Sequence, residues 1–338
     1  MGILPELEKL LPSIPKFIRN RLRSEKQGIE ELLKRYVWYT VSEDVDIACN
    51  CAAADSSFMV IESRVGYIFV VQGVAVLYGL ENGRAKQIAA EVFSDLGMIT
   101  ATPLKKTHII RKSLLKRALT EYAYLLELEN LLKLVKRCDN VLALVDGSFM
   151  SFAATTPTRD FDIHIESVKG VQGLSEVEQK KFKCIQALAE HRHTVFVSKS
   201  SNAGFYTQGF YPDMYVLDIA RLMGIEPYNA SGFLEPLVLD VKSTLARLIK
   251  GRIGVEKFTV TYVRLRMGMP VYQVSLPYEI DVDGMKSVYL CLKKWSASGY
   301  PMPLEFAHRL SAIPRKQLVK AMVALGVPIA TGREIIEI

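Results

Sequence analysis

A long amphipathic segment that runs directly into an apolar strand constrains the fold more than any other feature of this chain. Residues 111–140, RKSLLKRALTEYAYLLELENLLKLVKRCDN, repeat apolar side chains at helical spacing and end in lysine and arginine, which the dipole of a helix favours at its C-terminus. The apolar strand VLALVDG begins at residue 141. A helix joined this closely to a strand indicates an α/β fold.

Strands are also predicted before this helix. The segments VDIACNCAAADSSFMVIES and VGYIFVVQGVAVLYGL alternate apolar with small or polar residues, and Gly66, Gly73 and Gly79 interrupt the second one. The two segments predict sequential antiparallel strands, with two buried strands in the second segment. Residues 81–110 are expected to form mixed loops that lead into the helix.

The rest of the chain alternates predicted helices with predicted strands. Residues 5–37 are expected to be helical with interruptions at Pro12 and Pro15, and residues 151–170 are polar and turn-rich. The remaining predicted elements are helices over 174–193, 216–224, 285–298, 304–312 and 315–325, and strands over 194–201, 257–268 and 270–280. We therefore expect one mixed sheet flanked by helices, in a main domain over 41–330 with a helical extension over 1–40 and a tail over 331–338.

Composition excludes several classes of protein. The 338 residues are 49% apolar and 23% charged, which is typical of a globular chain. The longest apolar run, residues 65–80, is too short for a membrane span and contains Gln72, and the N-terminus lacks the unbroken apolar core of an export signal. Because of that short run, no membrane partner is expected. Five cysteines without zinc-site spacing predict free thiols in the reducing cytoplasm. A net charge of +7 is compatible with a polyanionic partner.

Three carboxylates are candidates for chemistry. AAADSSFMV and ALVDGSFMS each place an aspartate, Asp55 or Asp146, at the end of a small or apolar run that is followed by Ser and Phe. Glu127 projects from the apolar side of the long predicted helix, where a buried charge needs a partner. The alternatives are turn aspartates, since Asp-Gly is a common hairpin signal, and a salt bridge at the helix edge.

An oxygen-rich group of this kind suits Mg²⁺ or Mn²⁺. Two such ions can stabilise both the attacking and the leaving oxygen of a phosphodiester, so no side-chain nucleophile is needed. The chain contains no Walker P-loop, GxSxG or HExxH motif.

The chain resembles the NurA family of archaeal and bacterial DNA-end nucleases. The resemblance rests on the order of DSSF, VDGSF after a long helix, VFVSKSSN with YPDMYVLDIARL, and GYPMPLEFAHRL, over residues of about 45 to 325. It implies an RNase H-like (Piwi-like) sheet in a homodimer. It also implies a Mn²⁺-dependent nuclease that acts 5′ to 3′ on single- and double-stranded DNA, cuts single strands internally, and works with a HerA-type hexameric ATPase in end resection and double-strand break repair.

The resemblance also assigns residues. Asp55 matches the first catalytic aspartate, with Ser56 in place of the usual glycine, and Asp146 matches the aspartate of the Asp-Gly-Ser motif. Glu127 matches the helix glutamate, although Glu121 and Glu129 are close enough to be alternatives.

Three more polar residues match recurrent positions of the family. Lys199 would lie near the scissile phosphate, or be an exposed lysine at a strand end. Asp213 would complete the metal cage, or cap a helix. His308 would act as a proton donor, or pack against its own helix.

Contacts with DNA and with partner proteins are the last group of expectations. Tyr206 and Phe210, in an aromatic loop, can stack on unpaired bases or anchor the loop, and Arg264 and Arg266 can face phosphates. The basic segment KFIRNRLRSEKQ and the tail VPIATGREIIEI are expected docking surfaces or parts of a homodimer seam. The alternative function is a catalytically silent module that clamps DNA for a translocase.

Overall fold

The computed structural model describes residues 5–42, 49–63, 66–104, 112–155, 161–245 and 254–327. The expected tail, 331–338, and most of the segment VPIATGREIIEI lie outside these residues. Within them the helices are α1 (Pro5–Leu10), α2 (Ile14–Leu33), α3 (Lys112–Val135), α4 (Phe149–Ala153), α5 (Leu174–Glu190), α6 (Asp213–Leu222), α7 (Val241–Leu245), α8 (Val282–Lys294), α9 (Met302–Ser311) and α10 (Arg315–Ala324), with a 3-10 turn at Leu11–Ser13. The strands are β1 (Trp38–Thr40), β2 (Asn50–Ser63), β3 (Gly66–Glu81), β4 (Arg84–Pro103), β5 (Val141–Asp146), β6 (Phe161–Ser167), β7 (Gly170–Gly173), β8 (Thr194–Ser198), β9 (Gly232–Leu234), β10 (Leu237–Asp240), β11 (Lys257–Arg264) and β12 (Tyr272–Leu276).

The described strands form one mixed sheet. Its order is β1-β9-β11-β12-β8-β5-β2-β3-β4-β6-β7, and β10 pairs with β11 outside this path. In the centre, β2, β3 and β4 form an antiparallel meander, whereas β5 runs parallel to both β2 and β8. The expectation of a mixed α/β sheet flanked by helices is therefore confirmed.

Most predicted helices are confirmed, and α3 is the clearest case. Its apolar residues Leu128, Leu131 and Leu134 are buried against the sheet, as the helical spacing of the sequence predicts. Trp38–Thr40, at the end of the predicted N-terminal extension, pairs with β9 and joins the sheet. The division of the chain into an extension, a main domain and a tail stays a prediction.

Three predictions about strands are wrong. Residues 66–81 form one strand instead of two, and the expected loop after them is the twenty-residue strand β4. Asn82 and Gly83, with φ values of 52° and 73°, make the tight turn between β3 and β4. Asn-Gly is a strong hairpin signal, so the sequence did contain a sign of this strand. The segment expected to be turn-rich holds β6 as well, which pairs with the end of β4.

Helices cover both faces of the central sheet. On one face, α3, α5 and α6 bury a core that includes Ala54 and Val145. On the other face, α8 and α9 bury a core that includes Ala53 and Leu144. Side chains that follow each other along β2 and β5 therefore point to opposite helical layers. No helix among the described residues is long and apolar enough to cross a membrane.

Candidate metal centre

Asp55 and Asp146 are neighbours because their strands run parallel in register. Ala54 of β2 pairs with Val145 of β5, so the next residue on each strand is an aspartate. Asp146 is the last residue of β5, while β2 continues to Ser63. Asp55 therefore lies inside β2, beside the point where β5 ends. That end leaves a gap in the sheet where both carboxylates can meet a ligand.

Helix α9 brings His308 to the two aspartates. One ligand atom from each of Asp55, Asp146 and His308 lies within 4.8 Å of the others. The His308 ring nitrogen Nδ1 is 2.9 Å from Asp55 Oδ2, and the Ser311 hydroxyl donates to the same oxygen at 2.8 Å. Leu304 and Ala307 hold the helix on the sheet because both are fully buried. The His308 side chain remains 61% exposed, so its ring is open to solvent and to a substrate.

Glu127 approaches from the opposite face of the sheet. Its Oε1 accepts a hydrogen bond from the Ser56 hydroxyl, so the serine that replaces the family's glycine binds the helix glutamate directly. Its Oε2 is buried and has no hydrogen-bond partner among the described residues. Burial, followed by the charges of Asp55 and Asp146, raises the pKa of Glu127 well above its usual value. The other two glutamates differ, since Glu121 is paired with the buried Lys181 and Glu129 is only partly buried.

These donors fit a divalent cation. Carboxylate oxygens are the protein ligands that suit Mn²⁺ and Mg²⁺, and His308 offers an imidazole nitrogen beside them. A buried carboxylate oxygen without a partner is costly unless a cation or a proton accompanies it. The unpartnered Oε2 of Glu127 beside two more carboxylates is therefore the observation that indicates a cation site.

Lys199 lies beside Asp146. Its Nζ donates to Asp146 Oδ2 at 2.7 Å and lies 4.6 Å from the centre of the Tyr300 ring. Tyr300 was not predicted. Its hydroxyl is buried, and burial together with the charge of Asp146 raises the pKa of this tyrosine. The only sequence sign was its position in the GYPMPLEFAHRL block, eight residues before His308.

The Asp-Gly sequence at residue 146 ends β5 and forms a turn. Gly147 has a φ of 131°, which favours glycine, and its N–H donates to Val197 O at 2.9 Å. Ser148 then caps the short helix α4 by accepting from the Ser151 N–H. The chain therefore bends away just after Asp146 and leaves its carboxylate at the end of the strand.

The structure does not bring Asp213 into this group, so its predicted role as a metal ligand is corrected. Its side chain is fully buried and its two oxygens are saturated by five donors. Oδ2 accepts from Phe205 N–H at 2.7 Å, Tyr206 N–H at 3.2 Å and Tyr262 hydroxyl at 3.0 Å, and Oδ1 accepts from Thr207 N–H and Tyr36 hydroxyl at 3.1 Å each. No lone pair is directed at a cation, and the carboxylate anchors the 203–212 loop.

Two of the four predicted DNA contacts are also corrected. The Arg264 guanidinium is fully buried and donates to carbonyl groups, including Tyr228 O at 3.0 Å, and its burial lowers its pKa to about 10. Tyr206 donates its hydroxyl to Val260 O at 3.0 Å and packs, partly buried, against the core. Both side chains are therefore held by partners within the protein. Arg266 is exposed and Phe210 is 74% exposed, so both remain available for the predicted contacts.

The fold and the site define an α/β protein that presents a group of carboxylates and a histidine suited to a divalent cation. The NurA domain family model matches residues 49–313, which is most of the chain. The chain therefore belongs to the NurA family. A curated relative, the DNA double-strand break repair nuclease NurA of Sulfolobus acidocaldarius, is 23% identical over 321 residues, which cover 89% of each chain.

Solved structures show the same fold. The NurA nuclease from Sulfolobus solfataricus has a TM-score of 0.68 at 19% identity, with 95% of this chain and 97% of that chain covered. A NurA crystal structure bound to dAMP and manganese has a TM-score of 0.59 at 12% identity, with 95% of this chain and 98% of that chain covered.

Proposed function

We propose that this protein is a metal-dependent DNA nuclease whose cation is held by Asp55 and Asp146, with Glu127 behind them and His308 beside Asp55. The observation that carries the proposal is the meeting of these side chains, which come from four separate segments of the chain, at the end of β5. Membership of a family whose relative is named a nuclease supports the reaction, and the solved NurA structure with manganese and dAMP supports Mn²⁺ as the ion.

We also propose that the core is RNase H-like. Strands β4, β3 and β2 form an antiparallel meander, β5 and β8 continue it in parallel, and α3 connects β4 to β5. This order puts the end of β5 next to the middle of β2 and lays α3 across the same region. The three carboxylates therefore converge as a consequence of the topology.

Each residue of the site has a distinct role in this proposal. A bound divalent cation supplies charge stabilisation for the phosphodiester oxygens and lowers the pKa of a water ligand. Asp55 and Asp146 provide carboxylate oxygens for the cation, and the Asp55 carboxylate fixes the orientation of the His308 ring. His308, with its exposed ring, is placed to accept or donate a proton at the substrate. Lys199, bound to Asp146, adds a positive charge that can contact a phosphate oxygen.

The substrate and partners follow from the family. We propose DNA ends as substrates, with 5′ to 3′ exonuclease and single-strand endonuclease activity in double-strand break repair, and a HerA-type hexameric translocase as partner. The side chains of Leu10, Ile14 and Phe17 on the N-terminal helices are exposed and offer an apolar surface for a partner protein. A homodimer is supported by β4, where Val92 is 82% exposed and Ile88 and Leu96 are each about half exposed.

The test is cleavage of end-labelled DNA with Mn²⁺ or Mg²⁺ by the unaltered chain and by Asp146→Asn. Asp139, an exposed residue just before β5, provides the matched control Asp139→Asn. We expect Asp146→Asn to abolish cleavage and to keep DNA binding nearly intact, and Asp139→Asn to behave like the unaltered chain. Undiminished cleavage by Asp146→Asn would remove this residue from the mechanism. If the unaltered chain binds DNA but does not cut it, even with its motor partner, the silent clamp becomes the better account.

A further inference from the structure

Gln72 interrupts an apolar strand, and its side chain caps the helix that carries His308. Gln72 lies on β3 opposite Ser57, on the same face of the sheet as Asp55, which pairs with Val74. Its Nε2 donates to the carbonyl oxygens of Ser311 at 3.0 Å and Ala312 at 2.9 Å. One amide group therefore binds both carbonyls at the C-terminal end of α9.

The end of α9 needs such a donor. The last carbonyl groups of a helix have no intrahelical partner. Ala312 leaves the helical conformation with a ψ of 126°, and Pro314, two residues further on, has no N–H to offer. The Ser311 hydroxyl is already engaged with Asp55, and Gln72 supplies the donor for the carbonyls of Ser311 and Ala312.

Polar contacts also decide how the last turn of α9 sits on the sheet. Leu304 and Ala307 bury the first part of the helix, but Leu310 in the last turn is 53% exposed. The contacts that tie this turn to the sheet include those of His308 and Ser311 with Asp55 and those of Gln72 with the helix end. Losing the cap would let the turn shift, and the two groups that orient Asp55 would shift with it.

We propose that Gln72 is a positioning residue of the metal centre, which acts by holding the end of α9 so that His308 and Ser311 contact Asp55. This inference rests on the proposed function, because it assigns Gln72 to the same cation site. Partners that orient metal ligands without touching the ion change metal affinity by about 10- to 100-fold when they are removed. Since Gln72 acts through α9, we expect an effect near the lower end of this range.

The experiment compares Gln72→Met, which loses the amide, with Gln72→Asn, which keeps an amide one methylene too short to reach both carbonyls. Gln317, exposed on α10, gives the matched control Gln317→Met. Mn²⁺ affinity is measured from the EPR signal of the free ion, and hydrogen exchange of the α9 peptide is measured without metal. We expect both Gln72 variants to bind Mn²⁺ about tenfold more weakly and to exchange faster in α9, and Gln317→Met to match the unaltered chain.

A double-mutant cycle with Ser311→Ala separates positioning from a general loss of stability. If Gln72 acts through the end of α9, Gln72→Met adds little to the loss of Mn²⁺ affinity that Ser311→Ala causes alone. Additive losses, or unchanged Mn²⁺ affinity in a folded Gln72→Asn protein, would overturn the inference and leave the proposed function intact. Failure of the unaltered chain to bind Mn²⁺ at all would overturn both.

Discussion

Asp213 offers the sharpest test of how this structure separates a structural carboxylate from a metal ligand. Its two oxygens accept five hydrogen bonds inside the core. The substitution Asp213→Asn keeps the size of the side chain but replaces one acceptor oxygen with an NH₂ group. In either orientation, the NH₂ group of the asparagine therefore faces at least one group that also donates a hydrogen bond.

The cost follows from the less damaging orientation. If the NH₂ group takes the place of Oδ1, the Tyr36 hydroxyl can rotate to accept, but the Thr207 N–H loses its acceptor. One buried unsatisfied N–H costs about 1–3 kcal/mol, and the three bonds that remain at the other oxygen lose their charge assistance. We expect the free energy of unfolding to fall by about 2–4 kcal/mol, a large share of the roughly 5–15 kcal/mol that a folded domain typically has.

The assay is urea unfolding of the metal-free protein, with Mn²⁺ affinity measured on the folded fraction. Asp213→Asn should unfold at lower urea and bind Mn²⁺ like the unaltered chain. Asp146→Asn should lose Mn²⁺ affinity but change the free energy of unfolding by no more than about 1 kcal/mol, because the ion pair of Asp146 with Lys199 is partly exposed. The reasoning fails if Asp213→Asn keeps its stability but loses Mn²⁺, since that result would place Asp213 in the metal centre.

Three further predictions concern charges. Burial raises the pKa of Glu127, so the folded chain keeps this proton at pH values where the unfolded chain has lost it. The urea midpoint of the metal-free protein should therefore fall as the pH rises above the ordinary pKa of a glutamate, and should fall less in Glu127→Gln. A pH-independent difference between the two proteins would contradict this. Lys181→Met should lower the free energy of unfolding by about 3–5 kcal/mol, because it removes the positive charge that accompanies the buried Glu121 carboxylate, and Lys181→Met with Glu121→Gln should recover part of the loss. If Lys181→Met alone lowers the free energy of unfolding by less than about 1 kcal/mol, the buried pair of Lys181 and Glu121 is refuted. Arg266→Ala should lower the slope of log affinity for DNA against log salt concentration by about 1, as the loss of one phosphate contact would. An unchanged slope in a filter-binding titration would remove Arg266 from the DNA surface.

The sequence by itself determined the elements whose signals are local. The spacing of apolar residues predicted α3, and the small and apolar runs before Asp55 and Asp146 predicted β2 and β5. Two similar runs that end in aspartate also suggested a shared metal site, because such repetition is visible in the letters alone. The strand β4 was missed even though Asn82 and Gly83 marked its turn, since its outward face carries apolar residues and the usual alternation is lost.

Only the tertiary structure decided which polar side chains share a site. His308 meets Asp55 across 253 positions of the chain, through the packing of α9 on β2. Asp213 and Arg264 look like functional residues in the sequence, yet both are buried and fully occupied by groups from distant segments. The desolvation of a charge and the number of its partners depend on neighbours that folding brings together, and local sequence does not contain that information.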